Sequence, residues 1–315
     1  MSRLAREFSL IERCFRPLAG PAGLGLTDDV ALLQPAPETD LVLSADAMIA
    51  GVHFLAGDSP ELVARKLLRV NLSDLAAKGA APLGYLLTIA APAGTDDAWF
   101  EGFAAGLATD QKAFGLQLLG GDMTATSGPF AFSLTILGSV ARGQAVLRRG
   151  AAAGHGVFVS GTIGDAALGL DVLQGRFEDA SGHLVRRYRL PAPRLGLPIS
   201  GFAAAAMDIS DGLVQDLGHL CRLGGVAAEI DSALVPLSPP ARAGGPAVLA
   251  RCLTGGDDYE LLLAVPPAAE DRLAGARFAV PFTRIGCFVP GPPEVRVRGP
   301  GGELMQFARP GWSHF

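Results

Sequence analysis

The chain has 315 residues, 49% of them hydrophobic and 18% charged, with a formal net charge of −5. That length and apolar content support two packed domains and exclude a disordered chain. The acidic balance speaks against a nucleic-acid partner, and no apolar run is long enough to span a membrane.

The N-terminal stretch MSRLAREFSLIERCF carries Glu7 and Glu12 inside its apolar pattern, which predicts a short amphipathic helix and not a signal peptide. LVLSAD (41–46) reads as a strand ending on an acid. Ser59-Pro60 opens a long helix over 60–78, with proline at its first position. Residues 85–92 and 130–140 read as strands, and 96–113 as a second helix opened by Thr95 and Asp96. A glycine-rich break at 141–156 marks a domain boundary, giving domains 1–145 and 146–315. The second domain restarts with a buried strand, VFVSG (157–161), then a turn and helix, TIGDAALGLDVL. Residues 176–194, charged and proline-bearing, predict a surface excursion. A helix around 195–206, a short strand at 207–209, a helix from Gly212 and a strand-rich remainder follow. Helices mixed with strands in both halves predict α/β or α+β layering.

Four cysteines, Cys14, Cys221, Cys252 and Cys287, lie far apart without a C-x-x-C pair. They read as buried, reduced thiols of a cytoplasmic protein, with neither zinc nor redox chemistry. NLSD (71–74) and DISD (208–211) echo one another, but four residues do not establish a repeat.

The acids have an unusual setting. Asp28 and Asp29 lie in LTDDVALL, Asp46 ends a strand, and Asp74 interrupts the greasy helix VNLSDLAAKGA with Asn71 and Lys78. Asp122 follows two glycines in LLGGDMT. Asp208 and Asp211 lie in MDISDGL, and Asp257, Asp258 and Glu260 in GGDDYEL. Each stands against apolar sequence, where an ionised carboxylate needs compensation. Basic partners are scarce, and lysine occurs only at 66, 78 and 112. Clustered oxygen ligands without a Cys or His set favour several Mg²⁺ ions, and Mg²⁺ implies phosphate. No G-x-x-x-x-G-K-[ST] and no protein-kinase motif set is present. SGTIGDAALG (160–169) offers only a weak strand-loop-helix phosphate cradle.

Nearly end to end, the chain resembles the thiamine-monophosphate kinases of the aminoimidazole-ribonucleotide-synthetase-like superfamily. The resemblance is carried by EFSLIER (7–13), DDVALL (28–33), SADAMIAGVHF (44–54), VNLSDLAAKGA (70–80), LLGGDMT (118–124), VSGTIGDAALGL (159–170), MDISDGLVQDLGHL (207–220), GGDDYEL (255–261), PFTRIG (281–286) and GWSHF (311–315). It implies an ATP-dependent phosphorylation of thiamine monophosphate to thiamine diphosphate. The implied fold has two domains: an N-terminal ATP- and Mg-binding domain whose sheet pairs into a dimeric barrel, and a C-terminal α/β domain. The implied metal ligands are Asp29, Ser44, Ala45 through its carbonyl, Asp46, Asp74, Asp122, Asp208 and Asp211, with Asp46, Asp74, Asp122 and Asp211 carrying catalysis. ATP contacts fall on Gly121, Asp122, Arg148, Ser210 and Phe114, and acceptor contacts on His53, Asp257 and Trp312.

Departures from the family pattern are Ala45 for Thr, Phe114 for Tyr, Asp257 for Glu, Thr27 for Gly and Met123 for Thr. None removes a metal ligand; Asp257 shortens the reach to the acceptor by one methylene. Two rival readings are another ATP-dependent synthetase of the superfamily and a non-catalytic nucleotide or thiamine sensor. A selenophosphate synthetase would carry a reactive Cys in a glycine-rich segment, whereas Cys14 falls in the amphipathic helix.

Overall fold

The computed structural model describes residues 6–314. The first five residues of the N-terminal helix prediction and the last of GWSHF therefore lie outside the described residues. Two compact units divide the chain: Met1–Leu75 with Ala80–Gly143, and Ala76–Gly79 with Gln144–Phe315.

The first unit contains α1 (Arg6–Leu10), β1 (Thr39–Ile49), α2 (Pro60–Lys78) up to Leu75, its last residues Ala76–Lys78 belonging to the second unit, β2 (Ala81–Pro92), α3 (Asp97–Phe114), β3 (Gln117–Thr126) and β4 (Ala131–Ala141). After α1 the chain continues as a π-helical turn, Ile11–Phe15. Its sheet has the order β1-β4-β2-β3. β2 and β3 are parallel and α3 is their crossover, as parallel neighbours require. The other pairs are antiparallel. One face is packed: Met48, Tyr85, Leu87, Ile89, Phe132, Leu134 and Ile136 are buried there. Trp99 of α3 stacks on Phe130 at 4.1 Å and Phe103 on Phe132 at 5.0 Å, so α3 covers that face. The opposite face is open, with Leu41, Leu43 and Leu86 exposed. α2 is buried nearly all round, and polar Lys66, Asn71 and Ser73 are inside with its leucines. Asp110 of α3, fully buried, is held by Arg65 at 3.1 Å and Arg69 at 2.5 Å, both from α2.

The second unit contains β5 (Gly156–Ser160), α4 (Asp165–Leu173), α5 (His183–Arg189), β6 (Ala205–Asp208), α6 (Leu213–Gly224), β7 (Ala227–Asp231), α7 (Pro239–Ala243), α8 (Leu249–Thr254), β8 (Leu261–Val265), α9 (Pro267–Gly275), β9 (Phe282–Val289) and β10 (Val295–Arg298). Its sheet runs β10-β7-β9-β5-β8-β6, with only β10 and β7 parallel. Successive strand residues point to opposite faces. Val157, Val159, Met207 and Leu262 therefore join one core with Leu213, Leu217 and Leu220 of α6. Phe158, Ala206, Leu261 and Leu263 join another with Ala269 and Leu273 of α9. Both faces being covered explains why the central strands read as unbroken apolar runs.

Three expectations are corrected. Residues 176–194 are a surface excursion only as far as 182; α5 then buries Leu184, Arg187 and Tyr188, Leu184 in an apolar cluster with Leu168 and Cys252 and Arg187 paired with fully buried Glu260 at 2.8 Å. No helix spans 195–206. Pro198 and Gly201 limit it to a 3₁₀ turn, Ile199–Gly201, and Ala205 and Ala206 are buried strand residues. The remainder after α6 is not only strands, since α7, α8 and α9 lie within it. The NLSD and DISD echo is no repeat: one lies inside α2, the other runs off the end of β6. Among the described residues no helix is long and apolar enough to cross a membrane.

Candidate active site

In the first unit the acids issue from the sheet, from α2 and from one loop. Alternation along β1 turns Ser44, Asp46 and Met48 to the packed face and leaves Ala45 exposed on the other. The Ser44 hydroxyl donates to Asp74 Oδ2 of α2 at 2.6 Å. That bond answers why a buried helix carries a carboxylate there. Asn71 donates to the Leu67 carbonyl one turn back (2.9 Å) and Lys78 to the Ala206 carbonyl (2.9 Å).

Asp122 is elsewhere. It is exposed on β3, opposite Thr88, while Asp46 lies opposite Leu134 on β4. Three strand spacings separate β1 from β3, about 14 Å. Gly121 before it has φ +158°, and a Cβ there would come within 1.8 Å of the Leu87 carbonyl oxygen, so only glycine fits. Asp29 is exposed on a loop anchored beside β3: Gly20 N–H donates to the Leu118 carbonyl at 3.3 Å and Leu32 N–H to that of Ala22 at 2.8 Å. One copy of this sheet therefore groups Ser44, Asp46 and Asp74 and leaves Asp29 and Asp122 toward the other edge.

His53 follows β1 in a turn. Its Nδ1 accepts the Ile49 N–H at 3.0 Å, and Lys66 Nζ donates to its carbonyl at 2.9 Å. An accepting Nδ1 leaves the proton on Nε2. Phe114, half-buried at the end of α3, has the Arg69 guanidinium 5.4 Å above its ring.

The second unit gathers its candidates more tightly. Asp208 closes β6 and is buried; Ser210 and Asp211 form the turn into α6. Gly212 has φ +131°, and a Cβ there would meet the Thr254 carbonyl at 2.8 Å. Asp257 N–H donates to the Ser210 carbonyl at 2.8 Å and Tyr259 N–H to that of Ile209 at 2.8 Å. Asp257 and Tyr259 both have left-handed φ, +72° and +51°, and the Tyr259 hydroxyl donates to Asp257 Oδ1 at 3.2 Å. Trp312 N–H donates to the Asp211 carbonyl at 2.9 Å. Gln215 Nε2 joins Asp211 Oδ2 (3.0 Å) to the Trp312 carbonyl (2.6 Å), while the Trp312 ring is half exposed. Ser210, Asp211, Asp257 and Trp312 thus converge.

One residue whose spacing gave no functional signal, Asp216, holds this arrangement. Asp216 is buried, and its Oδ2 alone accepts the N–H groups of Ser210, Asp211 and Gly212 at 3.0, 3.0 and 3.1 Å. Burial, followed by the charges of Asp211 and Asp208, pushes its carboxyl up to about 7. Asp258 corrects the cradle reading of SGTIGDAALG. Its carboxyl group takes the Gly164 N–H (2.7 Å) and the Ala166 N–H (3.4 Å) at the start of α4, so those amides already have an acceptor, and full burial pushes that carboxyl well above the usual carboxylate range.

Arg148 is exposed, and its charge is felt at His219 of α6. Among the described residues no three His, Cys, Asp or Glu side chains form a ready metal cage. All the candidate ligands are oxygen donors, and Asp208, Asp211 and Asp216 crowd negative charge that a cation would relieve. That donor set fits Mg²⁺, which takes one or two carboxylates and completes its shell with phosphate and water.

Residues 27–140 match the family model of the AIR synthase related protein, N-terminal domain. A thiamine-monophosphate kinase of Caulobacter vibrioides is 46% identical, over 98% of this chain and 90% of that relative. The fold is similar to the crystal structure of thiamine-monophosphate kinase from Stenotrophomonas maltophilia, with TM-score 0.83 and 38% identity over 95% of this chain and 98% of that one. It is also similar to AaThiL complexed with AMPPCP and TMP, with TM-score 0.78 and 31% identity over 100% and 99% of the two chains. At this identity over nearly its whole length, the chain belongs to the thiamine-monophosphate kinase family.

Proposed function

We propose that this protein transfers the γ-phosphoryl group of ATP to thiamine monophosphate, giving thiamine diphosphate and ADP. The observation that carries this reading is the convergence of Ser210, Asp211, Asp257 and Trp312 on one turn, within a chain of this family. Asp29, Ser44, the Ala45 carbonyl, Asp46, Asp74, Asp122, Asp208 and Asp211 would hold Mg²⁺, which when bound neutralises the phosphates of both substrates. Asp46, Asp74, Asp122 and Asp211 bear most of the catalytic burden in this assignment.

The chain's own residues have positioning to do. Gly121, Asp122, Arg148, Ser210 and Phe114 meet ATP. Phe114 serves through its ring, since it lacks the hydroxyl of a Tyr. His53, Asp257 and Trp312 meet the acceptor. The acceptor phosphate oxygen is already ionised, so alignment matters more than proton abstraction. His53, with Nδ1 occupied by a backbone N–H, is suited to donate from Nε2 and unsuited to act there as a base.

The protein is proposed to work as a homodimer. Exposed Leu41, Leu43 and Leu86 on the open sheet face support this, and a second copy covering that face would also give Asp29 and Asp122 new neighbours. Free thiols and the want of a membrane-spanning helix among the described residues support a cytoplasmic location. Cys14 is buried, and desolvation raises its thiol, which weighs against a reactive-cysteine synthetase.

The test is incubation of purified protein with ATP and Mg²⁺ and either thiamine or thiamine monophosphate, followed by chromatography. Diphosphate from the monophosphate alone, and only with Mg²⁺, is expected. Free thiamine lacks the anion that Mg²⁺ would bridge, so a discrimination of about 10³-fold in kcat/KM is predicted. Comparable phosphorylation of thiamine, or no diphosphate from either acceptor, would overturn the assignment.

A further inference from the structure

α6 buries Leu213, Leu217, Leu220 and Cys221. Gln215, His219 and Arg222, spaced by four and three residues, share another face. They line a cavity of about 380 Å³ whose apolar wall includes Val214, Val295 and Pro310. Gln215 connects this cavity to Asp211 and Trp312 through the two bonds of its amide. Residues 147–151 run from β6 to the C-terminal end of the same helix. The Ala206 N–H donates to the Leu147 carbonyl at 2.9 Å, and the Ala151 carbonyl packs against Gly224. Arg148 lies between those two fixed points.

Several arginines of this unit are already neutralised. Arg187, Arg194, Arg251 and Arg296 all pair with carboxylates. Arg222 is exposed and donates to His219 Nδ1 at 2.9 Å; it makes no ion pair among the described residues. A guanidinium with five N–H donors therefore faces the cavity with donors to spare. Accepting at Nδ1 leaves the neutral His219 ring its proton on Nε2. Partial burial, then Arg222 and Arg148, hold that ring below the ordinary histidine range, with Asp211 acting the other way, so Arg148 and Asp211 are both close enough to be felt there. The one acid on its wall, Glu294, is taken by Arg296 Nε at 2.6 Å.

We infer that this cavity is a phosphate subsite, in which Arg222 and the Nε2–H of His219 receive oxygens of a substrate phosphate beside Arg148. The inference rests on the kinase reading above. Arg148 belongs to the proposed nucleotide contacts, so ATP is the expected source of the phosphate, with thiamine monophosphate the other source. A guanidinium matches two phosphate oxygens at once, which a lysine cannot do.

The test uses full-length Arg222→Ala and Arg222→Lys. Arg222→Ala should raise KM for Mg-ATP about tenfold while KM for thiamine monophosphate moves less than about twofold, with Arg222→Lys between it and the wild type. A rise confined to thiamine monophosphate supports the subsite and assigns it to the acceptor. No change in either KM overturns it. Melting temperatures of both variants check the fold, and if the alanine variant is unstable the lysine variant decides the matter. Calorimetric titration of ATP without acceptor separates the two ideas. Weakened ATP binding by Arg222→Ala, in a protein that never turns over thiamine monophosphate, keeps the subsite and sinks the kinase reading. Normal turnover with unmoved ATP affinity and unmoved KM values sinks the subsite alone.

Discussion

The two units hold their acidic side chains in different ways. In the second, a single turn is bound from four sides: Asp216 from within α6, Asp257 and Tyr259 through backbone bonds, and Trp312 from the C-terminal segment. In the first, Ser44 and Asp74 share one bond, and Asp29 and Asp122 stand exposed toward another edge of the sheet. One half-site is built by local hydrogen bonding; the other is spread over a scaffold with an open face. Substitutions in the first should therefore disturb chemistry with little loss of fold, and substitutions in the second should disturb both.

The largest effect is expected at the scaffold carboxylates. Asp46→Asn and Asp74→Asn should each lower kcat at least about 10²-fold, on the order of 3 kcal/mol of transition-state stabilisation, with melting temperature nearly unchanged. Near-wild-type kcat at saturating Mg²⁺ in both would remove them from the ligand set.

Asp216→Ala comes next and should break the contrast in the other direction. It deprives three N–H groups, that of Gly212 buried and those of Ser210 and Asp211 half-buried, of their shared acceptor, and leaving a buried one unsatisfied costs roughly 1–3 kcal/mol. Both stability and kcat/KM for ATP should fall, because Ser210 and Asp211 ride on those amides. Asp216→Asn keeps an oxygen there and should recover most of the loss. A melting curve and a kinetic titration on each variant decide it; an Asn variant as impaired as the Ala variant would mean that charge, and not acceptance, is what Asp216 supplies.

Within the bound turn, Asp257→Ala and Trp312→Ala should raise KM for thiamine monophosphate about tenfold and KM for ATP much less. Equal effects on both substrates would make these residues props of the turn and remove them from the acceptor contacts.

How much of the molecule is legible in the chain follows the same division. α2 is readable at both ends, because Ser59-Pro60 starts it and Gly79 stops it. The acids are legible because each interrupts apolar sequence. β3 does not read as a strand, since Gly120 and Gly121 dilute its pattern, yet one of those glycines is required by the close approach of Leu87. The alanines of 203–206 suggest helix, and burial in a sheet overrides that preference. Asp216 is invisible for a different reason. In LVQDLGHL it fits an ordinary amphipathic helix, and its role depends on a turn folding back over it. Asp258 is legible as an unusual acid but its partners are not, because they lie some ninety residues away at the start of α4. Sequence spacing shows which acids are unusual. Strand order decides which of them are neighbours, and that is why Asp122 and Asp46 are both ligand candidates but do not face each other across a strand pair.

The smallest predicted effect probes the one bond that organises the scaffold side. Ser44→Ala removes the hydroxyl that donates to Asp74 Oδ2 at 2.6 Å. A hydrogen bond to a charged group contributes about 1.5–3 kcal/mol when its partner is left buried and unpaired, but Asp74 is only half-buried and water can replace the hydroxyl. The net loss should fall near 1 kcal/mol or below, about fivefold in rate at most. If Ser44 acts by orienting Asp74 toward a cation, the loss should appear as a higher Mg²⁺ concentration at half-maximal rate and should shrink as Mg²⁺ is raised. If the hydroxyl only ties β1 to α2, melting temperature should drop while the Mg²⁺ titration stays where it was. A Mg²⁺ titration of the variant beside a melting curve separates the two, and an unmoved Mg²⁺ midpoint would take Ser44 out of the metal shell while leaving Asp46 and Asp74 to be judged by their own variants.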